Sequence, residues 1–410
     1  MRFAFITDQL PRPGLAGHLA MNHAIIAWLR SKGHEVTILL LRPRLRSLVV
    51  RYDTADTLGI GLIHWRNYIF LTSWRAALAI LGRNLLEKLP LNAGSALLRR
   101  VGAKRYGGAD AVLGAFITPE QSAWCAGQIT RTAPDAIFAD TIFRAPALRE
   151  PALAPIHSLI IAHDLFHLRH RALRSAGYTV HPPELTREQE AGLLSLGNVI
   201  AAIQPEEAAT FRQMCPDKAV VTAPMPALPC KRPKTLGKIA GRLIFVGSAT
   251  LPNLDGLRWL FAEVWPSLRA SCPSVTLDLV GDCGNAFPVL PPGVTRLGRV
   301  PLLSPILHRS ALAISPLRVG SGLKIKILDY ARHGLMTVAT KESLDGFAED
   351  VRAPFIAASD AGSFAEAVAA KLFENDPADE NQALNYVAKH YDVDMCFLEL
   401  AAALKPRLAP

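Results

Sequence analysis

No apolar run in this 410-residue chain approaches the roughly 18 residues that a membrane-spanning helix requires. Cysteine is sparse and scattered: the six, at 125, 215, 230, 272, 283 and 396, include no Cys-x-x-Cys pair. That spacing argues against a disulfide framework and against structural zinc, and predicts reduced thiols in a cytosolic protein. The N-terminal MRFAFITDQLPRP reaches Asp8 after only a handful of apolar residues, too few for the h-region of a signal peptide, so a cytoplasmic location is expected. Short-period repeats and low-complexity tracts are missing too. Charge is low, at 20% of residues, while half are hydrophobic, a balance that excludes wholesale disorder and allows a large buried core.

What is present is an alternation of strand-like and helix-like segments, the signature of a parallel-sheet α/β protein. RFAFIT (2–7) reads as a strand, followed by a Pro/Gly-rich loop over 11–17, a helix ending at Lys32 before Gly33, and the strand VTILLL (36–41). Further strands are predicted at AIFAD (136–140), SLIIAH (158–163) and NVIAAI (198–203). Residues 223–240 then hold four prolines and four Lys or Arg without periodicity, which reads as a linker. The alternation restarts with LIFVG (243–247), one amphipathic helix over 253–270, VTLDLVG (275–281), ALAISPL (311–317), a helix over 324–333 and MTVAT (336–340). The expected domains are 1–225, 226–380 and a helical segment, 381–410, that packs back on the first.

Ligands of open parallel sheets bind at the carboxyl ends of strands, where helix N-termini present free N–H groups to anions. The segment 315–340 has that form: a strand into Pro316 and Arg318, a Gly320-Ser321-Gly322 turn, then a helix with Lys324, Lys326 and Asp329. Glycines would let a phosphate approach the backbone, the lysines supply positive potential, and Asp329 could accept from a ribose diol. The plainer reading is a tight strand–helix turn with solvated lysines. His163-Asp164, at the end of SLIIAH, offers an imidazole to a sugar hydroxyl or to charge at an anomeric carbon; alternatively Asp164 is a helix cap and His163 structural. His167 and His170 have metal-ligand spacing, but Arg169 and Arg171 interleave with them, which argues against a metal. Asp140 and the loop around Gly14 to His18 also lie at strand ends. Asp392-Val393-Asp394 falls in a helical region and reads as a solvated face.

Across nearly its whole length the chain resembles GT-B glycosyltransferases of the group-1, family-four type. The resemblance is carried by FITDQLPRPGLAGHLAMNHAIIAWLRSKGHEVTILL, PDAIFAD, IIAHDL, LIFVGSATLPNLDGLRWL and VTRLGRVPLLSPILHRSALAISPLRVGSG. It implies an α/β protein of two Rossmann-like, doubly wound domains facing across a cleft. It also implies a hexosyltransferase-type enzyme that takes a UDP- or GDP-linked sugar to a glycan or lipid-linked acceptor, with retention, in cell-surface polysaccharide or glycolipid synthesis. Cofactor and metal are implied to be absent. His163 inherits the position that faces the donor sugar. Gly17, Gly247, Arg318, Gly320, Ser321, Gly322, Lys324, Lys326 and Asp329 inherit the donor site. The chain departs from many relatives, which carry two glutamates eight positions apart where Ser321 and Asp329 stand here; a Gly-rich turn in place of the first is the pattern of a subset. An Arg and a Lys that many relatives carry after the first C-domain strand are replaced by Gly247-Ser248-Ala249-Thr250, leaving Arg318, Lys324 and Lys326 to neutralise a diphosphate.

Positive charge is uneven. Residues 41–105 hold twelve Lys or Arg against three acids, +9 of the chain's net +10, interleaved with Trp65, Tyr68, Phe70 and Trp74. Such a surface suits anionic lipid or a lipid-diphosphate acceptor, and predicts peripheral attachment to a membrane; a solvated rim is the bland alternative. No nucleic-acid-binding signature accompanies it. Two other functions compete: a non-catalytic GT-B scaffold that binds nucleotide sugar, and a dehydrogenase, which would need a Gly-x-Gly-x-x-Gly run that neither first strand has.

Overall fold

The computed structural model describes residues 1–12, 17–42, 47–72, 74, 78, 80, 82, 110–175, 177–319, 323–350, 353–374 and 376–405. They form two compact units, one of Met1–Ala223 with the chain from Glu399 onward, the other of Pro224–Leu398.

Unit 1 is built on seven parallel strands: β1 (Arg2–Thr7), β2 (Glu35–Leu40), β3 (Asp56–Gly59), β4 (Ala136–Asp140), β5 (His157–Ala162), β6 (Val199–Ala202) and β7 (Ala219–Thr222). Their order across the sheet is β7-β6-β5-β4-β1-β2-β3. The inner strands read as unbroken apolar runs because both of their faces are covered; Phe3, Phe5, Ile38, Ile137, Phe138 and Ile160 are buried. Helix α1 (Gly17–Ser31) connects β1 to β2 and buries Met21, Ile25 and Leu29, an i, i+4 stripe. After β5 come α2 (Phe166–Ser175) and α3 (Arg187–Leu194), the latter started by a capping box between Thr186 and Gln189. A small antiparallel sheet of Val49–Arg51, Tyr68–Leu71 and Leu62–Trp65 is also part of this unit.

Unit 2 has six parallel strands, β8 (Arg242–Val246), β9 (Thr276–Val280), β10 (Val294–Gly298), β11 (Leu312–Ser315), β12 (Thr337–Thr340) and β13 (Phe355–Ala358), ordered β10-β9-β8-β11-β12-β13. Its helices include α4 (Leu251–Trp259), α5 (Ser304–Arg309), α6 (Ile325–Arg332) and α7 (Pro377–His390). The single helix expected over 253–270 is interrupted by a π-helical turn, Leu260–Val264, just before Trp265–Ser271. Pro266 has no N–H to offer, and the altered turn absorbs the missing donor.

The division falls at 223/224, and the return to unit 1 comes at Glu399, not at 381. The reason is packing. Helix α7 lies on α6, Tyr386 meets Phe355 edge-on at 5.2 Å, and Arg232 pairs with Glu380 at 2.8 Å. Only beyond Glu399 do contacts with unit 1 take over: its carboxylate accepts from Thr222 N at 2.7 Å, and His157 Nε2 donates to Ala403 O at 3.1 Å. Asp392 is a helix cap more than a solvated face, accepting from the Asp394 and Met395 amides at 3.0 and 3.3 Å. Among the described residues no helix is long and apolar enough to cross a membrane.

Candidate active site

Three neighbouring strands of unit 1 end together. β1 ends in Thr7, β4 in Asp140, and His163 follows the last residue of β5. Asp140 Oδ1 lies 3.0 Å from His163 Nε2, and its Oδ2 accepts from Thr7 Oγ1 at 2.8 Å. Asn22 of α1 adds its Oδ1 at 3.1 Å from the same His163 nitrogen, and His18 stacks edge-on with centroids 6.0 Å apart. Thr7, Asn22 and Asp140 are buried. Burial alone would raise the Asp140 carboxyl, yet the hydrogen bond and charge of His163, with His18 nearby, hold it well below the usual carboxylate range. An ionised acceptor on Nε2 fixes the proton there. Nδ1, without a partner among the described residues, is the ring nitrogen left to act. Burial lowers the His18 imidazole, and the Asp140 charge opposes that shift.

Helix α2 starts three residues later, and its first amides are occupied. Glu190, wholly buried on α3, accepts from Phe166 N at 3.0 Å, His167 N at 2.8 Å and His167 Nδ1 at 2.6 Å. Asp164 pairs with Arg169 at 2.7 Å. With His170 Nε2 donating to Pro182 O at 3.1 Å, neither His167 nor His170 is arranged as a metal ligand. These two histidines instead line a cavity of about 430 Å³ with Arg171, Thr186 and Arg187, which does not take in Asp140 or His163.

In unit 2 the donor-site candidates separate. Lys326, in the first turn of α6, points its Nζ at Asn253 Oδ1 of α4 (2.5 Å) and at the face of Phe245 (4.3 Å to the centroid). Burial of the ammonium pushes Lys326 down to about 7. Gly247 is explained by the same cluster: a Cβ there would lie 2.8 Å from the Phe245 ring and 3.0 Å from the Asn253 amide. Opposite it, Gly281 has φ +94°, and its Cβ would fall 2.2 Å from the Gly247 carbonyl oxygen. Helix α6 is tied to the end of β8, where Val246 N donates to the buried Tyr330 hydroxyl at 2.7 Å. Ser343 pins the exit of β11, donating to Ser315 O at 2.7 Å and accepting from Leu317 N at 3.2 Å.

Arg318 is not a free cation. It faces Asp255 with both contacts at 3.2 Å and lies over the Trp259 ring, so its charge is answered inside the protein. Asp329 accepts from Arg332 Nε at 2.8 Å on its own helix, and burial raises its carboxyl. Lys324 immediately precedes α6, and Gly17 is the first residue of α1. Gly320, Ser321 and Gly322 lie outside the described residues. Sequence reasoning passed over Thr7, Asn22, Phe245 and Asn253. Only Thr7 carried a signal, as a polar residue closing an apolar strand; the others meet their partners through the fold.

Cys230, His308 and His333 bring one potential ligand atom each to within 4.8 Å of one another. Both His333 nitrogens are already engaged, Nδ1 with Asp329 O at 2.7 Å and Nε2 with Ser304 Oγ at 2.9 Å, while His308 Nε2 donates to Cys230 O at 3.0 Å. The trio is a hydrogen-bonded clamp that holds α5, α6 and the start of unit 2 together.

This architecture is that of solved GT-B proteins. The chain aligns over 98% of its length with 97% of a sucrose-phosphate synthase from Thermosynechococcus elongatus, at TM-score 0.65 and 13% identity. It aligns over 98% with 99% of Anabaena HepE in complex with UDP and glucose, at TM-score 0.59 and 14% identity. It aligns over 98% with 99% of an S. aureus TarM mutant in complex with fondaparinux, alpha-GlcNAc-glycerol and UDP, at TM-score 0.67 and 8% identity. The chain therefore has the GT-B fold, two α/β domains with parallel sheets. Within it, residues 240–374, a third of the chain, match the family model described as glycosyl transferases group 1. No curated protein matches the chain by sequence.

Proposed function

We propose that this protein is a glycosyltransferase that moves a sugar from a nucleotide donor to a hydroxyl of a glycan or lipid-linked acceptor. The observation that carries the reading is the Lys326–Asn253–Phe245 cluster at the head of α6, inside the segment that matches the group 1 model. HepE and TarM are both described with UDP, which favours a UDP-linked donor over a GDP-linked one. In the reaction the bond from the anomeric carbon to the diphosphate breaks, its electron pair leaves with the nucleotide, a bond forms from the acceptor oxygen to the anomeric carbon, and the acceptor hydroxyl proton passes to the departing diphosphate or to solvent.

Lys326 and the N-terminal end of α6 would stabilise the charge gathering on the diphosphate, work that needs no metal when cations and helix amides supply it. Lys324 would add to that potential, and Asp329 would contact the ribose. His163 would act on the sugar: the carboxylate on Nε2 orients the ring, leaving Nδ1 to accept from a hydroxyl or, once protonated, to donate. Retention of configuration and a role in cell-surface polysaccharide or glycolipid synthesis belong to the same proposal. The engagement of Arg318 by Asp255 favours one alternative, a scaffold that binds nucleotide sugar without turning it over.

A panel of UDP-, GDP- and ADP-sugars separates the readings. A true donor at a hundredfold over its dissociation constant should stabilise the fold by about 2.7 kcal/mol. An enzyme should also release nucleoside diphosphate when acceptor is supplied. Stabilisation without release selects the scaffold; neither, with any nucleotide sugar, defeats the proposal.

A further inference from the structure

The small antiparallel sheet of unit 1 is amphipathic in an unusual sense. Its register pairs Ile63 with Phe70, Trp65 with Tyr68, Val49 with Phe70 and Arg51 with Tyr68, so all six side chains share one face. The other face carries Ile69, which is buried, and His64, whose ring is held by Thr57 N at 3.0 Å and Tyr52 O at 3.1 Å. That side faces the body of the unit. The outward side should be polar in a sheet that meets water on one face. Instead Trp65 is 59% exposed, Ile63 56%, Val49 47% and Tyr68 45%. An apolar patch of this kind marks a surface that another phase or molecule covers.

We propose that this face docks unit 1 on an anionic lipid bilayer. Charge identifies the partner. Arg66, at the hairpin tip, lays its guanidinium 4.8 Å over the Trp65 ring, and Arg51, 3.6 Å from the exposed Asp53 carboxylate, stands on the same face. Tryptophan and tyrosine beside arginine suit the boundary between headgroups and acyl chains, where the rings bury and the cations meet lipid phosphate. In sequence, residues 41–105 carry twelve Lys or Arg against three acids, a bias that repels a basic partner and attracts an anionic sheet of headgroups. The inference stands on this surface and does not depend on the proposed reaction, although it fits a lipid-linked acceptor.

The test is co-sedimentation with phosphatidylcholine vesicles, with and without phosphatidylglycerol, at low and high salt. Wild type should partition to the anionic vesicles, lose that binding at high salt, and show a blue shift of tryptophan emission on binding. The double variant Ile63→Ser, Trp65→Ser, altered only at exposed positions, should lose at least tenfold in partitioning, and Arg66→Glu should weaken binding most at low salt. Nucleotide-sugar stabilisation measured on the same variants should stay at the wild-type level, which keeps a failure of docking distinct from a failure of donor binding. Equal partitioning to both vesicle types, none to either, or undiminished binding by the double variant overturns the proposal. So does self-association in solution that the double variant abolishes, because the face would then belong to a second copy of the chain.

Discussion

Asp140 Oδ1 and His163 Nε2 lie 3.0 Å apart at the ends of adjacent parallel strands, with Thr7 on the other carboxylate oxygen at 2.8 Å. The pair sets the tautomer of His163, and with it the nitrogen that is left to work.

Replacing Asp140 by Asn keeps the shape and removes the charge. The proposed transferase should lose turnover on the order of 10²-fold in Asp140→Asn, with donor affinity within a factor of about two. Steady-state kinetics and nucleotide titration of the same variant check this.

The same carboxylate predicts a pH dependence of stability. A carboxyl held below its ordinary value in the fold adds stability that is fully present above its unfolded value, near pH 4, and is lost as pH falls through the folded value. Melting temperatures taken downward from pH 7 should therefore show wild type losing its margin over Asp140→Asn only below about pH 4. Curves that stay parallel throughout the acid range would remove Asp140 from the account.

Lys326 gives the opposite sign. Its folded value is pushed down to about 7, so between there and its ordinary value of about 10.4 the unfolded chain binds more protons than the fold. Its contribution makes the free protein more stable as pH rises over that span. A diphosphate beside the amine would restore the charged form. Nucleotide binding at pH 8 should then take up a proton, which calorimetry in buffers of different ionisation enthalpy detects. Lys326→Ala should abolish that uptake and weaken binding by about 1.5–3 kcal/mol.

His163→Ala should lower the turnover of the proposed enzyme strongly while leaving nucleotide affinity near wild type, since nucleotide contacts are assigned to unit 2. A parallel fall in affinity, activity and melting temperature would return His163 to a structural role.

Gly281→Ala tests a purely steric statement. The added methyl meets a backbone oxygen, and φ +94° is strained for any side chain, so a loss of roughly 2–3 kcal/mol is expected in chemical denaturation.

Much of the fold was legible because buried parallel strands announce themselves. AIFAD and RFAFIT coincide with β4 and β1 to the residue, as unbroken apolar runs bounded by polar ones. The strands of the two large sheets that escaped lie at sheet edges: DTLG at β3, AVVT at β7, VTRLG at β10 and FIAA at β13. Half-exposed, they carry polar residues or few large apolar ones, and periodicity does not single them out. The candidate site divides in the same way. Asp140 and His163 were visible as strand ends, where parallel sheets place their chemistry. The grip of Asn253 on Lys326 spans 73 residues, and the capture of Arg318 by Asp255 spans 63, so neither is written in local spacing.

The carboxylate of Glu190 gives unit 1 a selectivity of its own. A helix beginning just past His163 would ordinarily turn its partial positive charge toward whatever lies at the strand ends, and would welcome phosphate there. Glu190 spends that charge internally, on the amides of Phe166 and His167. The head of α2 therefore holds no open berth for an anion. An acceptor phosphate brought beside His163, as proposed, would gain nothing from the Phe166 and His167 amides.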